Sequence, residues 1–273
     1  MQFVKKDKPL KAINLAGLNK NEKRMPNPYF DVYHVRALVC GSTGSGKTTF
    51  VLNYLFQYLN YYRVIIYMAP SETFDSGYLK TIKDDKKLSA KFIFLDIRKE
   101  KLPTISELQK VAKHDNKICL ILDDFINVLT SKEDRKQIDA YLTQSSRANC
   151  DLFLLCQTYN HITPSIATNI NVMILFTKYM SRDSFNTCIR RSFTGEFTKE
   201  LGDFIYDVLR HAYPHQPFIF INDQPENKSI LYNDNYIIKV DENSNKSDHV
   251  QLNKTFDSGS DEDDSYEDDR RKK

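Results

Sequence analysis

The chain has 273 residues, 41% of them hydrophobic and 27% charged, with 8 glycines and 9 prolines. That is enough apolar residue for a sizeable core in one large domain or two small ones, and it excludes wholesale disorder. The net charge of +3 hides a division: residues 256–273 carry 8 acidic and 4 basic residues, leaving 35 basic and 28 acidic, net +7, in residues 1–255. No apolar run approaches the roughly 18 residues that span a bilayer. The basic start, MQFVKKDKPLK, lacks the apolar stretch of a secretory signal. Five cysteines (Cys40, Cys119, Cys150, Cys156, Cys188) form neither a CxxC pair nor a Cys/His cluster, so a disulfide framework or a zinc site is not expected. Three of them lie in or beside apolar runs and read as small core residues. The expectation is a reduced, soluble, intracellular protein without a membrane partner.

Residues 1–27 form a basic arm, with Lys5, Lys6, Lys8, Lys11, Lys20, Lys23 and Arg24 against Asp7 and Glu22. Together with a basic body it is compatible with a polyanionic partner, although Lys-rich surfaces also serve only to solvate. Next, Pro26-Asn-Pro-Tyr29-Phe30 offers either an aromatic for an adenine pocket or a loop packed into the core. From Arg36 onward, short apolar runs alternate with segments of helical period. Strands are expected at 35–40, 64–68, 92–96, 118–123, 152–156, 172–176 and 218–222. Most are nearly continuous in apolar character, as strands covered on both faces are. Helices are expected at 47–60, with Val51, Leu52, Leu55 and Leu59 on one face, and after Thr104-Ile-Ser-Glu107, which reads as a capping box. Two more follow at 133–146 and at 199–213, the latter repeating Leu201, Phe204, Ile205, Val208 and Ala212. Strand and helix in alternation predict an α/β fold with a mostly parallel sheet and right-handed crossovers, a domain over residues 28–240. Residues 241–273 hold only Val250, Leu252, Phe256 and Tyr266 as apolar residues, so an acidic, disordered tail is expected.

Between the first strand and the first helix stands Gly41-Ser42-Thr43-Gly44-Ser45-Gly46-Lys47-Thr48, followed by Thr49, which matches GxxxxGK[ST] completely. Three glycines let the chain wrap tightly and turn its amide N–H groups toward phosphate oxygens, and the helix that follows adds the positive end of its dipole. Lys47 is then placed for the β- and γ-phosphates and the Thr48 hydroxyl for Mg²⁺. A plain Gly/Ser loop is the alternative, and the full pattern in its strand–loop–helix setting argues against it. At the end of the 118–123 strand, Asp123 is expected to hold Mg²⁺ and Asp124 to orient or polarise an attacking water. The pair has a simpler alternative as caps of the next helix. The 152–156 strand ends at Gln157, whose amide donates and accepts at once, which suits sensing a γ-phosphate. Strand-terminal polar residues are common, so Gln157 draws its weight from the other two motifs. Arg147, in Ser145-Ser146-Arg147-Ala148-Asn149, is the first candidate for a finger acting on a neighbouring subunit's nucleotide, ahead of Arg182, Arg190 and Arg191. Complementing a helix dipole is its simpler role.

The order of these motifs resembles the HerA–FtsK superfamily of DNA-pumping ATPases. Its short single-domain form is similar to the genome-packaging ATPases of large double-stranded DNA viruses, the poxvirus type and its relatives in virophages and Polinton-like elements. The resemblance runs from about residue 35 to 222 and implies a RecA-like P-loop (ASCE) fold. It assigns residues 41–49 to ATP, Thr48 and Asp123 to Mg²⁺, Asp124 to water activation, Gln157 to sensing and Arg147 to action in trans. Many cellular members carry Glu where this chain has Asp124. The implied activity is ATP-driven movement of double-stranded DNA, without sequence reading, by a homo-oligomeric ring (a hexamer) into a preformed capsid. A capsid component is the further partner, and the setting is the host cytoplasm or viral factory, with virion association. Expected DNA contacts are the amino-terminal lysines and loops near Lys178, Arg182, Arg190 and Arg191. A ring helicase or another DNA-dependent AAA-type ATPase is the nearest rival. A nucleoside or nucleotide kinase would need an Arg-bearing lid, and a two-lobed helicase a second lobe that residues 223–273 cannot supply. A phosphate-binding scaffold without turnover would have lost Lys47, Asp123 or Asp124.

Overall fold

Runs rich in Val, Ile and Leu become strands, and the segments of helical period pack over them. In the computed structural model the strands are β1 (Gln2–Lys5), β2 (Arg36–Cys40), β3 (Val64–Ala69), β4 (Phe92–Asp96), β5 (Ile118–Asp123), β6 (Cys150–Cys156), β7 (Val172–Phe176), β8 (Pro217–Ile221), β9 (Ile230–Tyr232) and β10 (Tyr236–Lys239). The helices are α1 (Lys47–Gln57), α2 (Gly77–Asp84), α3 (Lys86–Ser89), α4 (Ile105–Ala112), α5 (Lys132–Gln144), α6 (Pro164–Asn169), α7 (Arg182–Ser192) and α8 (Lys199–Ala212). The structure describes residues 2–5, 27, 29–30, 32, 34–75, 77–112, 116–128, 131–159, 162–178, 180–192, 199–212, 217–221, 230–232 and 236–239. All of them fall within one compact unit, Gln2–Val240. The acidic tail, 241–273, and arm residues 6–26 lie outside the described residues.

The strands form one sheet in the order β1-β10-β9-β8-β7-β2-β6-β5-β3-β4. From β4 to β7 every neighbouring pair is parallel, and from β7 to β1 every pair is antiparallel. The strand placed last among β2, β5 and β6 in the chain, β6, therefore lies between the other two. Gln2–Lys5, inside the stretch expected to be an arm, is instead the strand at the sheet's end, paired Phe3 to Ile238 and Val4 to Ile237. Two β-prone residues, Phe3 and Val4, fit that pairing.

Residues of the central strands are buried on both faces, which is why their sequences run apolar without alternation. One face (Ala37, Val39, Ile65, Tyr67, Cys119, Ile121, Phe153, Leu155) meets Val51, Leu52 and Leu55 of α1 and Leu79 and Ile82 of α2 in one core cluster. The opposite face carries Leu38, Leu120, Leu122, Leu154 and Leu175, equally buried. Phe185 of α7 reaches that side through Phe218 of β8, ring centroids 5.5 Å apart. The capping box read from the sequence opens α4: Glu107 N–H donates to Thr104 Oγ1 at 3.2 Å, and Thr104 N–H donates to Glu107 Oε2 at 2.6 Å. Phe30 belongs to the core, and Tyr29 packs against Phe30, Phe50, Tyr54 and Tyr58, so this loop supports α1. Arg182, Arg190 and Arg191, near which DNA-contacting loops were expected, stand on a helix, α7. Its inner face, Phe185, Cys188 and Ile189, is fully buried at helical spacing.

Candidate active site

Parallel register brings the three motifs to one edge. Cys40 of β2 pairs with Cys156 of β6, and Leu155 of β6 pairs with Asp123 of β5, so the three strands end level with one another. The phosphate loop, Asp124 and Gln157 each follow directly from those ends. Gly41 N–H extends the ladder by donating to the Cys156 carbonyl at 3.2 Å. The open cleft there, about 360 Å³, is lined by Ser42, Thr43, Gln157 and Thr158. Side-chain alternation completes the arrangement: Leu155 and Asp123 share the face that α1 covers, and Gln157 continues that face two residues on.

The loop is shaped for a close guest. Gly46 has φ +104, which side-chain-bearing residues rarely adopt, and a Cβ on Gly41 would lie 2.7 Å from both Phe176 Cβ and Ser45 Oγ. Phe176, at the end of β7, thus forms a wall under the loop. The hydroxyls of Ser42 and Ser45 are buried without a hydrogen-bond partner among the described residues. Orphaned donors beside a helix N-terminus fit an anion rich in oxygen acceptors. Lys47 Nζ donates to the carbonyls of Gly41 at 2.6 Å and Ser42 at 3.0 Å, and burial lowers its pKa from the usual lysine range. A cation held dry in this way is poised to exchange carbonyls for phosphate oxygens.

Asp123 is buried, and desolvation raises its pKa, against the opposing pull of hydrogen bonds from Tyr67 and Thr48. Tyr67 OH donates to Asp123 Oδ2 at 2.8 Å and Thr48 Oγ1 to the same oxygen at 3.2 Å. A hydroxyl and a carboxylate converging at the phosphate loop are an all-oxygen donor set, suited to a hard divalent cation. Asp124 has φ 56, in the left-handed region, so the backbone departs from the extended strand at this residue. Gln157 Nε2 lies 3.5 Å from Asp124 Oδ1, so the two polar groups meet across the β5 and β6 ends.

Residues 41–48, Asp123, Asp124 and Gln157 are therefore gathered at one place, with Thr49 exposed on the first turn of α1. Arg147 is elsewhere. It precedes β6, at the opposite edge of the sheet, roughly 20 Å away along a seven-residue strand. Its exposed side chain contacts only Gln144 Oε1 at 3.4 Å among the described hydrogen bonds. Its own pocket is out of reach. Tyr67 was not anticipated. It pairs with Ile121 and so sits diagonally beside Asp123 on the same face, a relation that the strand order alone reveals.

A sequence-family comparison matches residues 29–247 to the family described as Poxvirus A32 protein. This chain belongs to that family. Comparison with curated proteins gives no match. Among solved structures, the genome packaging NTPase B204 from Sulfolobus turreted icosahedral virus 2 in complex with sulfate is similar at 15% identity and TM-score 0.53, covering 73% of this chain and 95% of that one. The same NTPase with AMP gives 15% identity and TM-score 0.52 over 73% and 96%. B204, the DNA-packaging ATPase from Sulfolobus turreted icosahedral virus, gives 14% identity and TM-score 0.50 over 72% and 95%. At these identities the likeness is one of fold. It places the family's chain on the P-loop ATPase architecture that the strand order already displays. Among the described residues no helix is long and apolar enough to cross a membrane.

Proposed function

We propose that this chain hydrolyses ATP to drive double-stranded viral DNA into a preformed capsid, working as a homo-oligomeric ring, a hexamer, in the infected cell. The insertion of β6 between β2 and β5 carries the reading, because it sets Gln157 beside Asp124 above the phosphate loop. In this reading the loop amides and the Ser42 and Ser45 hydroxyls hold the triphosphate, and Lys47 leaves the Gly41 and Ser42 carbonyls for the β- and γ-phosphates. Thr48 and Asp123 would hold Mg²⁺, which when bound neutralises charge on the β- and γ-phosphate oxygens. Asp124 orients the attacking water and Gln157 reads whether a γ-phosphate is present. Arg147, remote from its own pocket, serves a neighbouring subunit's nucleotide.

The ATPase rate measured against added linear duplex DNA tests this. Duplex of unrelated sequence should raise the rate, with a stimulation that falls steeply as salt increases because contacts to phosphates release counterions. A rate indifferent to DNA of any form, or one that depends instead on an added nucleoside acceptor, would overturn it.

A further inference from the structure

Two residues beyond Gln157, the chain is gripped from a different element. Tyr159 is buried, and its ring lies 5.8 Å beneath the guanidinium of Arg191 on α7. The same guanidinium donates through Nη1 to the Ile162 carbonyl at 3.4 Å. Ile162 N–H in turn donates to the Tyr159 carbonyl at 2.9 Å. One planar, permanently charged group thus touches both ends of the segment that leaves the Gln157 strand. A guanidinium suits this double task, since its face takes the ring while its edge keeps donors for a carbonyl.

The platform beneath is firm. Phe185, Cys188 and Ile189 are fully buried, Phe185 packs on Phe218 and on Tyr206 of α8, and Asn186 Nδ2 donates to Asp203 Oδ1 at 2.6 Å. At the other end of α7, Arg182 pairs with Asp207. Arg191 itself is exposed, so it joins this rigid helix pair to the Gln157 segment by a contact open to the surface.

We propose that Arg191 is a positioning residue for Gln157: by clamping Tyr159 and Ile162 it fixes where the Gln157 amide stands relative to Asp124 and the phosphate loop. This rests on the reading of Gln157 as the γ-phosphate-responsive group. It predicts an effect on turnover without one on nucleotide affinity, because the described contacts of Arg191 are to Tyr159 and Ile162 and not to the loop or the cleft lining.

The test combines steady-state kinetics, equilibrium binding of a fluorescent ATP analogue and native-state hydrogen exchange. Arg191→Ala should lower kcat about ten-fold with the analogue's Kd unchanged, as for a residue that misplaces a reacting group without binding substrate. Exchange at the Ile162 amide should accelerate in the nucleotide-free protein. Arg191→Lys, which restores a cation over the ring, should recover part of the rate. Tyr159→Leu keeps apolar volume in the core while removing the aromatic face, and the double variant should be no slower than the slower single one. Losses that multiply in the double variant would overturn the clamp, as would unchanged Ile162 exchange in Arg191→Ala. Gln157→Ala run in parallel separates the two ideas. If it turns over at the wild-type rate, the role given to Gln157 is wrong. If it is slow while Arg191→Ala is not, only the clamp is wrong.

Discussion

Asp124 combines the water-activating role proposed for it with an uncommon backbone. At φ 56 it occupies a region where Asp and Asn are tolerated and most other residues are strained by about 1–2 kcal/mol. Asp124→Asn should therefore keep the native Tm and ATP binding while losing hydrolysis by about 100-fold or more, the usual worth of a positioned general base. Turnover at the wild-type rate would remove Asp124 from the mechanism. A second residue-scale case lies at the far edge of the sheet, where Asp151 is fully buried. It accepts from Lys117 Nζ at 2.9 Å, Val35 N–H at 3.0 Å, Tyr62 OH at 2.8 Å and Asn27 Nδ2 at 3.2 Å. Lys117→Met leaves that carboxylate buried without its cation and should cost about 3 kcal/mol in urea unfolding. A loss below 1 kcal/mol would mean that the three neutral donors suffice to hold the charge. The position is legible in sequence only as a polar residue interrupting an apolar run. That Asp151 gathers Asn27, Tyr62 and Lys117 from remote stretches of chain is a tertiary fact.

At the scale of elements, the end of β4 shows how one carboxylate closes a strand. Asp96 Oδ1 accepts from Arg98 N–H at 3.0 Å, and Arg98 and Lys99 bring their cations within 3.5 Å and 3.3 Å of the carboxylate. The backbone hydrogen bond above all, then the Ser71 hydroxyl and these charges, outweigh desolvation and bring its pKa down to about 2. Because the folded-state value lies below the unfolded one of about 4, the carboxylate stabilises the fold above pH 4 and loses that contribution as pH falls toward 2. Asp96→Asn should thus lower Tm at pH 7, with the gap from wild type closing between pH 4 and pH 2. A gap independent of pH would assign the effect to shape instead of charge. The seven strands from β2 to β8 and the α4 cap were readable because continuous apolar runs and a Thr-x-x-Glu pattern are local signals. By contrast, α7 hid behind its arginines, although Phe185, Cys188 and Ile189 keep helical spacing. Tyr67 was unreadable for a different reason: its partner Asp123 is set by which strands lie side by side, and spacing along the chain does not encode that.

On the scale of the whole molecule, the sheet separates the residues of the proposed pocket from the proposed finger. Lys47, Asp123, Asp124 and Gln157 lie at the carboxyl edge, and Arg147 lies at the amino edge beyond the full length of β6. A solvent-exposed arginine at the wrong end of its own subunit is useful to hydrolysis only if another subunit presents its nucleotide there. This gives a complementation test. Lys47→Ala should fail to hold ATP but retain Arg147, whereas Arg147→Ala should bind ATP with native affinity yet lack the proposed finger, whose loss costs about 10³-fold or more in rate in enzymes that use one. Each variant alone should be nearly inactive. Mixed, they should recover activity that rises and then falls with the mixing ratio, because only junctions where an intact pocket faces an intact Arg147 can turn over. If every ratio gives no more than the sum of the separate rates, Arg147 does not act across the interface and is left as the exposed end of a helical turn.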